Sequence, residues 1–154
     1  MQELISKATT LLEALPYIQR FSGATFVVKY GGSFMESPDE AVRTSVASDV
    51  VFLEAVEINP VVVHGGGKRI SKALETAGVE SRFVNGLRYT DAASVEIVDR
   101  VLSNEINPEI VDLINSLDGM AKGFSGTEIF TCKKHAPDGE DYGFVGKVTG
   151  MNTK

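Results

Sequence analysis

The chain has 154 residues, 43% of them hydrophobic and 23% charged, a length and balance that fit one globular domain with a sound core. A net charge of −6 and a sequence pI of about 4.9 argue against a general nucleic-acid or membrane-surface binder, so any anion site must be local. The single Cys132 excludes an intramolecular disulfide, two histidines supply no spaced transition-metal set, and the lack of an evident signal peptide or a ~20-residue apolar stretch makes a cytoplasmic protein the expectation.

Leu4, Ile5, Ala8, Leu11, Leu12 and Leu15 recur at a helical period and stop at Pro16, which predicts an amphipathic helix ahead of the first strand. Such a helix either packs on its own core or serves as an arm that meets a partner subunit. Thr25 to Val28 then forms a run rich in β-branched residues leading into Lys29-Tyr30-Gly31-Gly32-Ser33. Ser37-Pro38-Asp39-Glu40 combines a capping box with proline at the first helical position, and Val42, Val46, Val50 and Leu53 run down one face to Asn59-Pro60. A second run, Val61 to Val63, leads into His64-Gly65-Gly66-Gly67-Lys68-Arg69.

Short continuous runs of this kind predict parallel strands buried on both faces, and the intervening helix makes a right-handed crossover. Both glycine loops then emerge at the carboxyl edge of the sheet, where open α/β sheets bind ligands. Glycines there leave backbone N–H groups uncovered for an anion, although tight turns also use glycine for its backbone freedom. Neither loop has the spacing of a P-loop or of a dinucleotide fingerprint.

Ile70, Ala73, Leu74 and Ala77 mark a helix closed by Gly78, followed by an extended segment and turn over Phe83–Asp91. Thr90 or Asp91 can cap the next helix, whose inner face is Val95, Val98, Leu102 and Ile106; another follows at Ile110, Val111, Ile114 and Leu117 and stops at Asp118-Gly119. Ile129–Cys132 and Gly143–Val148 read as a hairpin joined by a polar loop containing Pro137-Asp138-Gly139. Lys29, at the end of an otherwise apolar strand, either snorkels to solvent or holds a phosphate. Arg88 is a surface arginine or a two-pronged grip for a carboxylate. Lys68 and Arg69 read as a solvated face, His64 as a hydrogen-bonded core histidine and Cys132 as a small hydrophobe.

KYGGS at Lys29–Ser33, HGGG at His64–Gly67 and NGLRYTD at Asn85–Asp91 resemble, in order and spacing, the amino-acid kinase family, and within it the members that act on N-acetyl-L-glutamate. VEIVDRVLSNEINPEIV and YGFVGKV extend the likeness over nearly the whole chain. The resemblance implies an α/β three-layer sandwich with a mainly parallel sheet and a β-hairpin over the site. It implies ATP-dependent phosphorylation of the γ-carboxylate of N-acetyl-L-glutamate, a step of arginine synthesis, with Mg²⁺ accompanying ATP. By resemblance, Lys29 stabilises the moving phosphoryl group, Gly31 and Gly32 approach the ATP phosphates, Gly66 and Gly67 hold the acid through backbone N–H groups, and Arg88 binds its α-carboxylate. Residues 1–20 resemble the arm that links dimers into hexamers in arginine-inhibited members, and residues 21–154 the substrate-binding half; the ATP-binding half has no counterpart here, so the chain alone is expected to be inactive. A carrier-linked aminoadipate kinase and a non-catalytic binding or regulatory module are the alternatives. Family members usually carry proline where this chain has Lys68.

Overall fold

The computed structural model describes residues 1–153, without the side chains of Ser33, Phe34 and Asp138; Lys154 lies outside the described residues. Helix α1 spans Gln2–Phe21 and continues through Pro16, where the sequence predicts its end. Proline removes one backbone bond, but the helix continues, and its last residue, Phe21, is anchored by edge contact with the Phe26 ring at 5.3 Å. Leu4, Ile5, Leu11, Leu12 and Leu15 are all exposed, Leu4 at 70%. The stripe therefore does not pack on the chain's own core.

Strand β1 (Thr25–Tyr30) pairs in parallel with β2 (Asn59–His64), in a register running from Thr25 opposite Asn59 to Tyr30 opposite His64. Between them lie the short α2 (Gly32–Met35) and α3 (Glu40–Ala55). Asp39 is the N-cap of α3, its carboxylate accepting from the Ala41 amide at 2.9 Å, so Pro38 precedes the cap and does not open the helix. A carboxylate is the stronger acceptor at a positive helix end, and the Ser37 hydroxyl instead accepts from the Asp39 amide.

One face of the strand pair, carrying Val28, Tyr30 and Val62, packs into the core with α3 and the later helices. The opposite face stays open: Val27 is 71% exposed, and Val61 and Val63 about half. Burial on both faces is thus met on one face among the described residues. The apolar run records that both faces of the strands are apolar; it does not record that this stretch of chain covers them both. The α/β class, with its parallel pair and flanking helices, is the one the sequence predicts.

Helix α4 (Gly67–Thr76) is followed by an antiparallel hairpin, β3 (Arg82–Val84) and β4 (Leu87–Tyr89), where the sequence reading gives only an extended segment and turn. Its two-residue turn is Asn85-Gly86, both with positive φ (48° and 81°), a combination the Asn-Gly pair tolerates and hairpins favour. Helix α5 (Ala92–Asp99), capped by Asp91, runs without a break into a π-helical stretch, Arg100–Ile106, and then α6 (Asn107–Asn115). The two helices expected here are one rod, because Pro108 follows the widened turns, where a missing N–H is easily accommodated. Val101 and Ile106 in the π stretch and Leu74 of α4 are completely buried and form the centre of the core.

The last part holds a short α7 (Gly126–Ile129) and an antiparallel hairpin of β5 (Phe130–Lys134) and β6 (Gly146–Met151), a few residues later than the sequence predicts. Gly143 instead makes a single bridge to Thr90 at the end of β4. No helix among the described residues is long and apolar enough to cross a membrane.

Candidate functional site

Because β1 and β2 end in register, Gly31-Gly32 and Gly65-Gly66-Gly67 leave the sheet from adjacent strands roughly 4.8 Å apart. The two loops differ in surroundings. A methyl group added to Gly31, Gly65 or Gly67 would meet nothing within 4 Å, and on Gly32 only the Glu36 carboxylate at 3.9 Å. Added to Gly66, it would lie 2.6 Å from Cδ1 of Ile106 and 3.0 Å from Cδ2 of Leu102, both in the π stretch. Gly66 is required by packing, and that packing fixes where the loop sits.

Gly66 is also the N-cap of α4 and offers no side-chain cap, so the first-turn amides, which begin at Gly67, have no partner of the usual kind. The first turn carries no acidic residue but contains Lys68 and Arg69. Lys68 is the solvated cation that sequence suggests, whereas Arg69 is half-buried; each has a carboxylate partner. Lys68 pairs at 3.4 Å with Glu36, the residue that follows α2, and Arg69 pairs with Glu109 of α6. Lys68 thereby ties the two glycine loops together at their outer side.

Arg88 is brought to the same helix end. One terminal nitrogen donates to Ser81 Oγ; the other donates to Ser71 Oγ at 2.8 Å and reaches the Gly67 carbonyl at 3.4 Å. The guanidinium carbon stands 4.7 Å from the centroid of the Phe83 ring, within cation–π range. All these partners are neutral, and no carboxylate pairs with Arg88 among the described residues. Of the five N–H donors of an arginine, these three bonds leave two unused. Its position is fixed and its charge is not neutralised.

Lys29 lies in register with Val63, on the open face of the sheet, and is likewise exposed without a carboxylate partner among the described residues. His64 is half-buried, with Nε2 3.4 Å from the Asn107 side-chain amide, which also donates to the Phe124 carbonyl. It is the hydrogen-bonded histidine the sequence suggests. Cys132 lies in β5, which presents all its residues to solvent, so this small side chain is exposed. Tyr30, buried beneath the first loop, has its hydroxyl pushed above the ordinary range by that burial and by the nearby Glu109, with Arg43 opposing.

Thus Gly66, Gly67 and Arg88 converge around the start of α4, while Lys29, Gly31 and Gly32 stand beside them on the neighbouring strand end. Sequence reasoning misses Ser71, Ser81 and Glu36. Ser71 carries a usable signal, since it lies four residues after Gly67 and so on the same helix face; nothing local marks the other two.

A model of the amino acid kinase family matches residues 24–154. A protein of a Thermoanaerobacter species named acetylglutamate kinase is 51% identical over 150 residues, covering 96% of this chain and 49% of its own length. Among solved structures, N-acetylglutamate synthase of Neisseria gonorrhoeae complexed with coenzyme A and N-acetyl-glutamate superposes with a TM-score of 0.70 at 21% identity, over 94% of this chain and 32% of that one. The same synthase complexed with coenzyme A and L-arginine gives 0.68 at 22% identity, over 95% and 35%. This chain spans about half the length of the relatives it matches. With its parallel strand pair, paired glycine loops and family match over most of its length, the chain belongs to the amino acid kinase family.

Proposed function

We propose that this chain forms the acid-binding half of an acetylglutamate kinase, with N-acetyl-L-glutamate held at the start of α4. The observation that carries this reading is Arg88: a guanidinium held by Ser71, Ser81 and Gly67, with no carboxylate among the described residues to neutralise it, beside a helix N-terminus. A free α-carboxylate suits both, through the remaining N–H donors of Arg88 and the amides at Gly66 and Gly67. The name of the relative at 51% identity and the N-acetyl-glutamate complexed with the structurally similar synthase support the choice of acid.

In the reaction proposed for the whole protein, a γ-carboxylate oxygen of the bound acid attacks the γ-phosphorus of ATP, and the bond from that phosphorus to the β-phosphate bridge breaks. Mg²⁺ enters with the ATP phosphates as part of the co-substrate. Lys29 supplies positive charge to the moving phosphoryl oxygens, the kind of help phosphoryl transfer needs most. Gly31 and Gly32, whose surroundings are open, allow the phosphates close to backbone amides.

Calorimetric titration of the 154-residue chain with N-acetyl-L-glutamate tests the acid site. Binding is expected, with clear weakening in Arg88→Ala; absence of binding, or equal affinity in the two proteins, overturns the reading.

The exposed apolar stripe of α1, on a helix of 20 residues, belongs in this reading to a contact between copies of the chain, with a dimer through the core and a larger ring through the arm. L-arginine, bound in one of the synthase structures, is the proposed regulator of that assembly. Deleting residues 1–14 should lower the mass seen by light scattering to that of a dimer and leave the domain folded. An unchanged mass removes the arm from the assembly.

A further inference from the structure

Arg88 sits on a hairpin whose two strands have three residues each. Two-stranded hairpins are marginal alone in water, and one this short cannot hold an arginine still by its own ladder. The hairpin is clamped from outside by one segment, residues 141–144, at both of its ends. At the base, the Thr90 amide donates to the Tyr142 carbonyl at 3.2 Å, and the Phe144 amide donates to the Thr90 carbonyl at 2.7 Å. Gly143, at φ 69°, passes so close that an added methyl would lie 2.1 Å from the Thr90 oxygen. At the turn, the Asn85 side-chain amide donates to the phenol oxygen of Tyr142 at 3.0 Å. Tyr142 is only 3% exposed, with its ring 5.6 Å from that of His135.

A buried phenol reaching out to an exposed turn residue is an uncommon choice where an apolar side chain would fill the same space. The hydroxyl adds the link to Asn85, and the residues between Asn85 and Thr90, Arg88 among them, lie between the two clamps. We propose that Tyr142 is a positioning residue for Arg88: its hydroxyl, bonded to Asn85, holds the turn of the hairpin so that the guanidinium stays over Gly67 and Ser71. The proposal rests on Arg88 being the carboxylate grip described above.

The test uses the full 154-residue chain as wild type, Tyr142→Phe, Asn85→Gly and the double variant. Phenylalanine keeps the ring and removes only the hydroxyl, and glycine keeps the positive φ of the turn; Asn85 is exposed, so its freed amide can bond water. Each single variant should raise amide hydrogen exchange across residues 82–89 about fivefold, the weight of one ordinary hydrogen bond, and the double should raise it no further. Exchange around Val101 and Ile106 should be unchanged, the NMR signal of the Arg88 Nε–H should broaden, and the dissociation constant for N-acetyl-L-glutamate should rise by a similar factor. Unchanged hairpin exchange in Tyr142→Phe, or effects that multiply in the double variant, overturn the proposal. If exchange responds as expected but wild type binds no acetylglutamate, the clamp stands and the assignment of the acid is what fails. Should Tyr142→Phe fail to fold, Asn85→Gly decides the same point from the exposed side.

Discussion

The two glycine loops look alike in sequence and sit on neighbouring strand ends, yet their surroundings differ. The loop at Gly65–Gly67 is built into the protein: Gly66 lies against Ile106 and Leu102, and Arg88 is fastened over Gly67. The loop at Gly31-Gly32 has open space around it, and Lys29 beside it stands on a sheet face that the described residues leave uncovered. The first kind of loop is preorganised by its own half of the fold. The second has no such packing among the described residues. On this comparison the acid side of the proposed reaction should survive in this chain, whereas the phosphate side should not be complete.

One methyl group added to each loop should have very different effects. In Gly66→Ala the new carbon would overlap Cδ1 of Ile106, a fully buried side chain that must shift within the packed core. Overpacking of this kind destabilises by about 1–3 kcal/mol or more, and acetylglutamate binding should be lost with it. Gly31→Ala has no such neighbour and should leave the stability, read from the urea midpoint, within about 0.5 kcal/mol of wild type. Equal destabilisation by the two changes would mean that the loops are equally embedded.

Arg88→Ala comes next. Removing a charged hydrogen-bonding partner from the proposed carboxylate site should weaken acetylglutamate binding by roughly 1.5–3 kcal/mol, read by calorimetry. Lys29→Ala, on the open side, should leave that affinity nearly unchanged. In a protein carrying both halves it should lower turnover instead, because its charge is proposed to act on the transition state.

The legibility of these features follows their range in the chain. The strand–loop–helix–strand unit is readable because β-branched runs, glycine loops and the cap at Asp39 are all local signals. The β3–β4 hairpin escapes the sequence reading although Asn85-Gly86 announces it, since the flanking strands are too short to show alternation. The rod from Ala92 to Asn115 reads as two helical patterns, and the widened turns that join them and accommodate Pro108 leave no mark in the periodicity. Among the proposed site residues, Gly66, Gly67 and Arg88 are named from the sequence, and the structure places them together around the start of α4. What fastens them is less so: Ser81 meets Arg88 across the β3–β4 hairpin that the sequence reading leaves out, and Tyr142 acts from 57 residues away, a contact no spacing along the chain encodes.

The Lys68–Glu36 pair is the link between the two loops, and it gives a smaller test. Lys68 is largely exposed, so an ordinary surface value of about 0–1 kcal/mol is expected from a double-mutant cycle of Lys68→Met and Glu36→Gln, falling with added salt. If the loops are independent cradles, neither change should alter acetylglutamate affinity beyond that range. A loss of tenfold or more would show that the open loop contributes to holding the acid, and the contrast between the loops would then have to be abandoned.

Acid offers the mildest perturbation, and two carboxyls beside the hairpin that carries Arg88 have lowered pKa values. Asp91 caps α5 directly after the hairpin; the Ser94 backbone bond, above all, and then the Ser94 side chain draw its carboxyl below the ordinary value, burial opposes them, and the Ala93 amide and Arg82 add lesser pulls downward. Asp141 is drawn down first by its bond from Lys134 and then by the Gly143 amide, in the segment that clamps the hairpin. A carboxyl whose folded pKa lies below its unfolded one contributes stability that is fully present above the unfolded value, near 4 for aspartate, and is lost as pH falls through the folded value. Asparagine in place of Asp91 can still cap but carries no charge. The thermal midpoint of Asp91→Asn should therefore lie slightly below wild type at pH 7, and the gap should close as pH falls through the aspartate range. Both groups are exposed, so the shift should be small and should shrink in salt. A gap that persists at about pH 2, below the aspartate range, would show that Asp91 stabilises the hairpin's end by its shape and not by its charge.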